Sequence, residues 1–382
     1  MPARKDVAAA LTSAQVRAHR ILASGLARTA RTARSVPVWE LGLQDRDGSA
    51  RVALAARLPD AAAVPAVDEP AGSAWLTMAW SLRGSPHLHR RVDLARVAAA
   101  LWPADDADAA ARLAGDASRL TSDGADPLTA FAVVADGMRE VITEPMVKGV
   151  ASAALTRALP EQYSGFCQGC GSVHVRELLF RLAALPAAVG AVPDTKPIVL
   201  APLSEPFQRP TEQQGLAALA AECYRLFGVA TPGDVATHLG TSAGVIPAAL
   251  PDDLVTVTVD GARSKARAAD LDDLRAADVD AAGELIRLLP PGDPLLQPRD
   301  RAVLTTDRVQ QRALWPAIGN PGAVLAGGGL AGLWRTRRSG TSLTVTITPW
   351  RRITAAERAQ LEREVEVVGA VRDARVAKLV VD

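Results

Sequence analysis

Hydrophobic and polar positions change period several times along the chain, and each change marks an element. Val7, Leu11, Val16, Ile21, Leu22 and Leu26 recur at roughly helical spacing, so residues 7–34 read as helix, with Thr12 or Ser13 as a second start signal. Residues 50–58 read as an Ala-rich helix that Ser49 could cap. Residues 74–83 are apolar and aromatic almost throughout and read as a strand, followed by a turn over 84–91. Asp93 opens a helix that ends at Trp102-Pro103, and the acidic residues 104–126 read as a connection. Residues 143–159 read as two short helices across Pro145, 173–185 as a helix, and the Pro-rich residues 186–210 as strand and linker.

The clearest unit is 215–275. A helix over 215–227 precedes a second one that starts at Thr231-Pro232, a capping residue with Pro at the first helical position, and stops at Gly240. A short helix over 244–250 follows, then alternating Leu254 to Val259, the turn pair Asp260-Gly261, and a return strand over 262–268. Helix, turn, helix, β-ribbon is the order of a winged helix. Further on, two apolar runs flank Gly327-Gly328-Gly329 and read as a hairpin, and 341–349 alternates as a half-buried strand.

Composition narrows the classes. Of 382 residues, 48% are hydrophobic and 22% charged, which is ordinary globular composition. Net charge is +1, so neither a uniformly cationic coat nor a strongly acidic chain fits. Only Lys5, Lys148, Lys196, Lys265 and Lys378 are lysines; the other 38 of 43 basic residues are Arg. Arg is the better fork for phosphate and guanine, although GC-rich codons favour Arg and Ala regardless. The basic residues cluster. Residues 1–35 hold Arg4, Lys5, Arg17, Arg20, Arg28, Arg31 and Arg34 against Asp6 alone. Residues 308–352 hold Arg308, Arg312, Arg335, Arg337, Arg338, Arg351 and Arg352 and no acid. A solvated helix face and a β edge blunted by Arg are the plain readings; a phosphate-facing surface is the sharper one. His87, His89, Arg90 and Arg91 crowd the turn after residue 83, where they could face a groove or phosphates.

Three cysteines, Cys167, Cys170 and Cys223, cannot build a disulfide framework, so a reducing cytoplasm is expected. Cys167-x-x-Cys170 with His174 has metal-ligand spacing, with Cys223 or His238 as the fourth zinc ligand; a redox pair or two small buried residues is the plain alternative. The longest uncharged stretch, 313–334, is cut by Pro316, Asn320, Pro321 and three glycines and is no membrane helix.

Several pieces together carry a resemblance: Leu41-Gly42-Leu43-Gln44; Arg83-Gly84-Ser85-Pro86-His87; Leu288-Leu289-Pro290-Pro291-Gly292-Asp293 with Arg299-Asp300-Arg301; and Gly332-Leu333-Trp334-Arg335. In this order, over roughly 12–380, they look like the AlkZ/YcaQ-type bacterial DNA glycosylases of the winged-helix superfamily. The resemblance implies an α+β fold of tandem winged-helix units with a C-terminal β-rich unit in a C-shaped arrangement, expected here as 1–115, 116–210, 211–287 and 288–382. The expectation is a monomeric enzyme on double-stranded, alkylated DNA, with no cofactor required for the chemistry; the structural zinc remains an option on the Cys167-x-x-Cys170 spacing alone. The family's signature is Gln-x-Gln or Gln-x-Asp. Gln44 matches its first position, Arg46 departs from its third, and Asp45 and Asp47 flank it.

An N7-alkylated purine is already a cationic leaving group, so the enzyme has only to aim water at C1′ and stabilise an oxocarbenium-like sugar. Gln44 would orient the water, with Asp45 or Asp47 supplying negative potential; Arg46 would bind phosphate or oppose the sugar cation. Arg83, His87, His89, Arg90, Arg299, Arg301, Arg335, Arg337, Arg338, Arg351 and Arg352 are the expected DNA contacts. The competing classes are a non-catalytic lesion-binding or self-resistance relative and a winged-helix transcriptional regulator. Against the latter, helix 244–250 carries no basic residue.

Overall fold

The computed structural model describes residues 7–296 and 301–382. The periodic stretch at the start is two elements, not one helix: a strand, Ala9–Leu11, and a helix, Ser13–Ala23. Thr12 separates them. Its hydroxyl accepts from the backbone N–H of Gln15 at 3.2 Å while the Gln15 carboxamide accepts from Thr12 N–H at 2.9 Å, a reciprocal cap that fixes where the helix begins.

Ala9–Leu11 pairs in parallel with Leu254–Val259, which pairs antiparallel with Ala262–Arg267. This sheet closes the 215–275 unit, whose helices Leu216–Phe227 and Pro232–Leu239 sit where the capping pattern places them. Thr231 and Asp234 form the N-terminal box, Gly240 ends the helix at φ 71°, and Asp260-Gly261 turns the ribbon with both residues at positive φ. The expected helix 244–250 is only a 3-10 turn, Ile246–Ala249, because Pro247 supplies no N–H to an α-helical ladder.

A six-stranded sheet runs in the order Leu43–Gln44, Pro86–Arg90, Leu76–Trp80, Val189–Ala191, Val199–Pro202, Met146–Val147. The expected turn 84–91 is therefore mostly strand. Pro86–Arg90 lies between two neighbours, and its histidines face inward. The acidic connection 104–126 is two helices, Asp106–Leu113 and Gly115–Ser122; Asp105 caps the first and Asp108 pairs with Arg112 one turn on. Residues 143–159 hold the edge strand and a single helix, Lys148–Ala158.

The C-terminal sheet is ordered Arg287–Leu289, Gly322–Ala326, Gly329–Ser339, Ser342–Pro349, Val376–Val381. Its glycine turn and alternating strand match expectation. Its last pairing is parallel, and the crossover is a 17-residue helix, Ala355–Val371, that the sequence reading did not identify. Leu361, Val365, Val368 and Val371 form the buried stripe of that helix, in one core with Val345 and Ile347 of the sheet.

The cores cross the expected unit boundaries. Trp39, Leu43 and Leu54 share one cluster with Leu219, Tyr224, Leu239 and Ile246, so residues 33–58 and 216–250 bury their apolar faces on each other. No helix among the described residues is long and apolar enough to cross a membrane.

Candidate active site

The site begins with a conformational requirement. Gly42 has φ 72°, and a Cβ there would lie 2.5 Å from the His89 ring, so only glycine admits this approach. Leu43 and Gln44 then pair with Leu88 and His87 as a two-residue edge strand. The chain turns through Asp47 (φ 55°) and Gly48 (φ 77°) into the helix Ser49–Ala55.

That turn uses up much of the polar chemistry around Gln44. Ser49 is the first helical residue, not the cap: its hydroxyl accepts from Arg46 N–H at 2.8 Å and donates to the Gln44 carbonyl at 3.3 Å. Asp45 does the capping, accepting from Gly48 N–H at 3.2 Å and Ala50 N–H at 2.9 Å. Burial raises the pKa of Asp45 above the usual carboxylate value, although those two bonds pull it the other way. Asp47 is exposed and pairs with Lys196 at 2.8 Å. Arg46 is exposed, and its guanidinium donates to Asn320 Oδ1 at 3.1 Å.

Gln44 is itself buried and borders two spaces. The larger is a cavity of about 680 Å³ whose wall includes Asp45, Trp80, Arg181, Asp194 and Arg372. Sequence reasoning missed Asp194 and Arg372. No motif in the sequence marks either residue. Burial lowers the pKa of Arg372 while Asp45, Asp194 and Asp47 raise it, so this cation faces a cluster of carboxylates. The smaller space is a cleft of about 20 Å³ lined by Gln44, His87, His238 and Gly292.

Gly292 lies against Gln44: a Cβ built on it would be 3.3 Å from the Cβ of Gln44. The next residue anchors this loop. Asp293, fully buried, makes a two-pronged pair with fully buried Arg57, at 2.7 and 2.9 Å. Arg57 also donates to the Ser24 and Ala53 carbonyls. The Asp293 that the resemblance singled out thus positions the loop behind Gln44.

The expected DNA contacts divide. His87 and His89 are buried, which corrects their reading as groove-facing residues: strand pairing turns both rings inward. His87 bonds the Ser85 carbonyl at 2.9 Å, and His89 bonds Ser81 Oγ at 2.9 Å. Burial, then the neighbouring His89 and Arg83, pushes His87 well below the ordinary imidazole pKa; burial pushes His89 down to about 4 and His238 to about 3. Arg83 donates to the His238 carbonyl, and Arg90 pairs with Asp93 and with Glu40, so each is held by the protein. Arg91 is buried on the Pro70 and Ala74 carbonyls.

Arg299 lies outside the described residues. Arg301 is exposed and stacks over the Trp315 ring at 4.8 Å. On the C-terminal sheet, Arg338 donates to the Arg372 and Asp373 carbonyls at the end of the helix Ala355–Val371, and Arg351 pairs with Glu357 at 2.6 Å. Arg335, Arg337 and Arg352 are exposed, with no side-chain partner among the described residues.

Cys167, Cys170 and His174 do come together on a hairpin, with their ligand atoms within 4.8 Å of one another. Neither suggested fourth ligand joins them. Cys223 is fully buried in the core, its thiol pKa raised by burial, and His238 borders the cleft beside Gln44.

Two comparisons bear on this arrangement. A family model described as DNA glycosylase AlkZ-like matches residues 40–371. The solved structure of the Streptomyces sahachiroi DNA glycosylase AlkZ superposes with a TM-score of 0.66 at 17% identity, covering 98% of this chain and 99% of that one, a likeness of fold. No curated protein matches the chain.

Proposed function

This chain belongs to the AlkZ-like DNA glycosylase family, and from that premise we propose that it hydrolyses the N-glycosidic bond of N7-alkylated purines in double-stranded DNA. The observation that carries the reading is the setting of Gln44. On one side lies a cavity of about 680 Å³, inside the range of roughly 300–1,000 Å³ typical of small-ligand sites. On the other lies a cleft of about 20 Å³, just above the roughly 10–15 Å³ that one water needs, with Gln44, His87 and His238 as polar neighbours.

The extruded base occupies the cavity, whose volume leaves room for an adduct larger than methyl. Water sits at the cleft, oriented by the Gln44 carboxamide toward C1′. The alkylated base leaves with its own positive charge neutralised, so no general acid is required. The oxocarbenium-like sugar is met by the potential of Asp194, Asp45 and Asp47. Asp45 contributes charge more than a free lone pair, since both its oxygens already accept backbone N–H groups. Arg46 is drawn toward Asn320 and serves the DNA backbone.

Hydrolysis, without strand cleavage through a Schiff base, is supported by the state of Lys196, the only amine on the cavity wall among the described residues. Lys196 is bound by Asp47, which raises its pKa and keeps it a charged ammonium, the opposite of an activated nucleophile. Arg335, Arg337 and Arg352 are the phosphate contacts, and the protein acts as a monomer.

The test is base release from duplex DNA carrying N7-alkylguanine, one small adduct and one bulky, read by alkali cleavage of abasic sites. Cleavage above spontaneous depurination is expected. In Gln44→Ala it falls by about 10²–10⁴-fold with binding retained. Tight binding without release by the unaltered protein would overturn the catalytic reading in favour of a lesion-binding relative, a role that Arg46 at the third motif position suits.

A further inference from the structure

The hairpin Ser164–Cys167/Ser172–Val175 is anchored in the core at its base by Val175, but its outer part has little apolar packing to order it. It is a two-stranded sheet joined to no other, and isolated two-stranded hairpins are marginal in water. Its cross-strand pair Phe166 and Val173 is 68% and 59% exposed, so the residues that would normally hold such a ribbon bury little. What converges at its end is ligand chemistry.

The geometry points to a zinc site in this hairpin, with Cys167 Sγ, Cys170 Sγ and His174 Nε2 as three ligands and water as the fourth. The ligand atoms lie within 4.8 Å of one another, and Cys170 Sγ is 3.2 Å from His174 Nε2. A tetrahedral zinc with bonds of about 2.3 Å to sulfur and 2.0 Å to nitrogen requires ligand separations of about 3.5–3.8 Å. Small side-chain rotations therefore close the site.

The surroundings favour it independently. His174 Nδ1 donates to the Val175 carbonyl at 2.7 Å, which fixes the tautomer and leaves the Nε2 lone pair facing the thiols. Ser172 Oγ donates to Cys170 Sγ at 3.5 Å, a bond that supports a thiolate. Gly171, at φ 64° with open space around it, lets the loop fold back so that its N–H reaches the Cys167 carbonyl at 2.9 Å. Two sulfurs and an imidazole select zinc over magnesium or calcium. The ion then supplies, at the outer part of the hairpin, the cross-link that burial does not, and none of its three protein ligands lines the two spaces beside Gln44.

The full chain, purified without chelator, is expected to carry roughly one zinc by elemental analysis. After removal of that metal, Co²⁺ added to the apoprotein should give the thiolate charge-transfer absorption and intense visible bands of a tetrahedral site. Cys170→Ser and His174→Ala should each lose most of the bound metal, while chelation opens residues 164–175 to limited proteolysis. The cobalt spectrum of the unaltered chain needs no variant to fold. An octahedral, aquo-like cobalt spectrum, or zinc content unchanged in both variants, would overturn the assignment; so would a Cys167–Cys170 disulfide found in place of metal. Excision by zinc-depleted protein reads out separately, so the proposed function and this site fail by different results.

Discussion

Arg17, Arg20 and Arg28 near the N-terminus and Arg335, Arg337 and Arg352 near the C-terminus lie in stretches that look alike as sequence, rich in Arg and almost free of acid. Folding treats them oppositely. Arg20 is 1% exposed and donates to the Phe227 and Val229 carbonyls at 2.7 and 3.2 Å, satisfying orphan acceptors at the end of the helix Leu216–Phe227. Arg17 reaches the Val303 and Gly328 carbonyls, and Arg28 grips Glu364 with both nitrogens. These side chains tie the first helix and the turn after it to distant parts of the chain, so the phosphate-facing reading of residues 7–34 does not hold for them.

Arg335 and Arg337 sit where the strand Gly329–Ser339 outruns its neighbour, and Arg352 follows the strand Ser342–Pro349. Gly322–Ala326 pairs only as far as Trp334, and the residues beyond it are all exposed. Arg335 and Arg337 share the face opposite Trp334, away from the crossover helix, and neither has a hydrogen-bond or ion-pair partner among the described residues. Arg338, on the other face, is captured by the carbonyls at the end of that helix. An arginine stays exposed and unpartnered where the fold leaves no unpaired acceptor within its reach, and a count of basic residues does not see this.

The contrast can be tested hardest at Arg57, the most enclosed of the structural arginines. Arg57→Met should cost about 3–5 kcal/mol in urea-induced unfolding, because it strands the buried Asp293 carboxylate. A loss below about 1 kcal/mol would break the distinction drawn between inner and outer arginines.

The inner set extends to the imidazoles beside it, and their effect is next in size. His87, His89 and His238 have native pKa values below that of the unfolded chain, which sits near 6.5. Below that value the unfolded state takes up protons that the native state refuses. Stability is therefore full above about pH 6.5 and falls as pH drops toward 4, by up to about 1.4 kcal/mol per pH unit for each such group. Urea midpoints measured between pH 7.5 and 4.5 should decline, and less steeply in His89→Gln. A flat profile would place these rings in solvent.

The outer set gives the smallest stability change and the clearest binding change. Arg335→Ala with Arg337→Ala should leave stability within about 0.5 kcal/mol. The slope of log affinity for duplex DNA against log salt should shrink by about 0.9 for each contact removed. Arg338→Ala sharpens the comparison, since it should lose stability with little change in slope.

Legibility followed the same division. The unit at 215–275 was readable because Thr231, Pro232, Asp234 and Gly240 act within one helix and Asp260-Gly261 within one turn. Residues 84–91 were not: Gly84, Ser85 and Pro86 signal a turn locally, and only pairing with Leu76–Trp80 makes the following residues a strand. Gln44 was found through its motif, but its two flanking spaces were invisible, because Asp194, Arg372, His238 and Gly292 come from loops and helices far apart in the chain.

The sequence by itself determined where the helix Pro232–Leu239 starts and stops, where the ribbon turns at Asp260-Gly261, and which ligand types share the hairpin at 164–175, since that capping, that left-handed turn and a CxxC spacing are settled within a few residues. The tertiary structure alone decided which arginines bind the protein and which are left in solvent, that Asp45 caps a helix beside Gln44, and that Asp293 answers Arg57 across 236 positions. Those outcomes depend on desolvation and on which acceptors remain unpaired when distant segments meet, and an arginine or aspartate has the same local preferences in either setting.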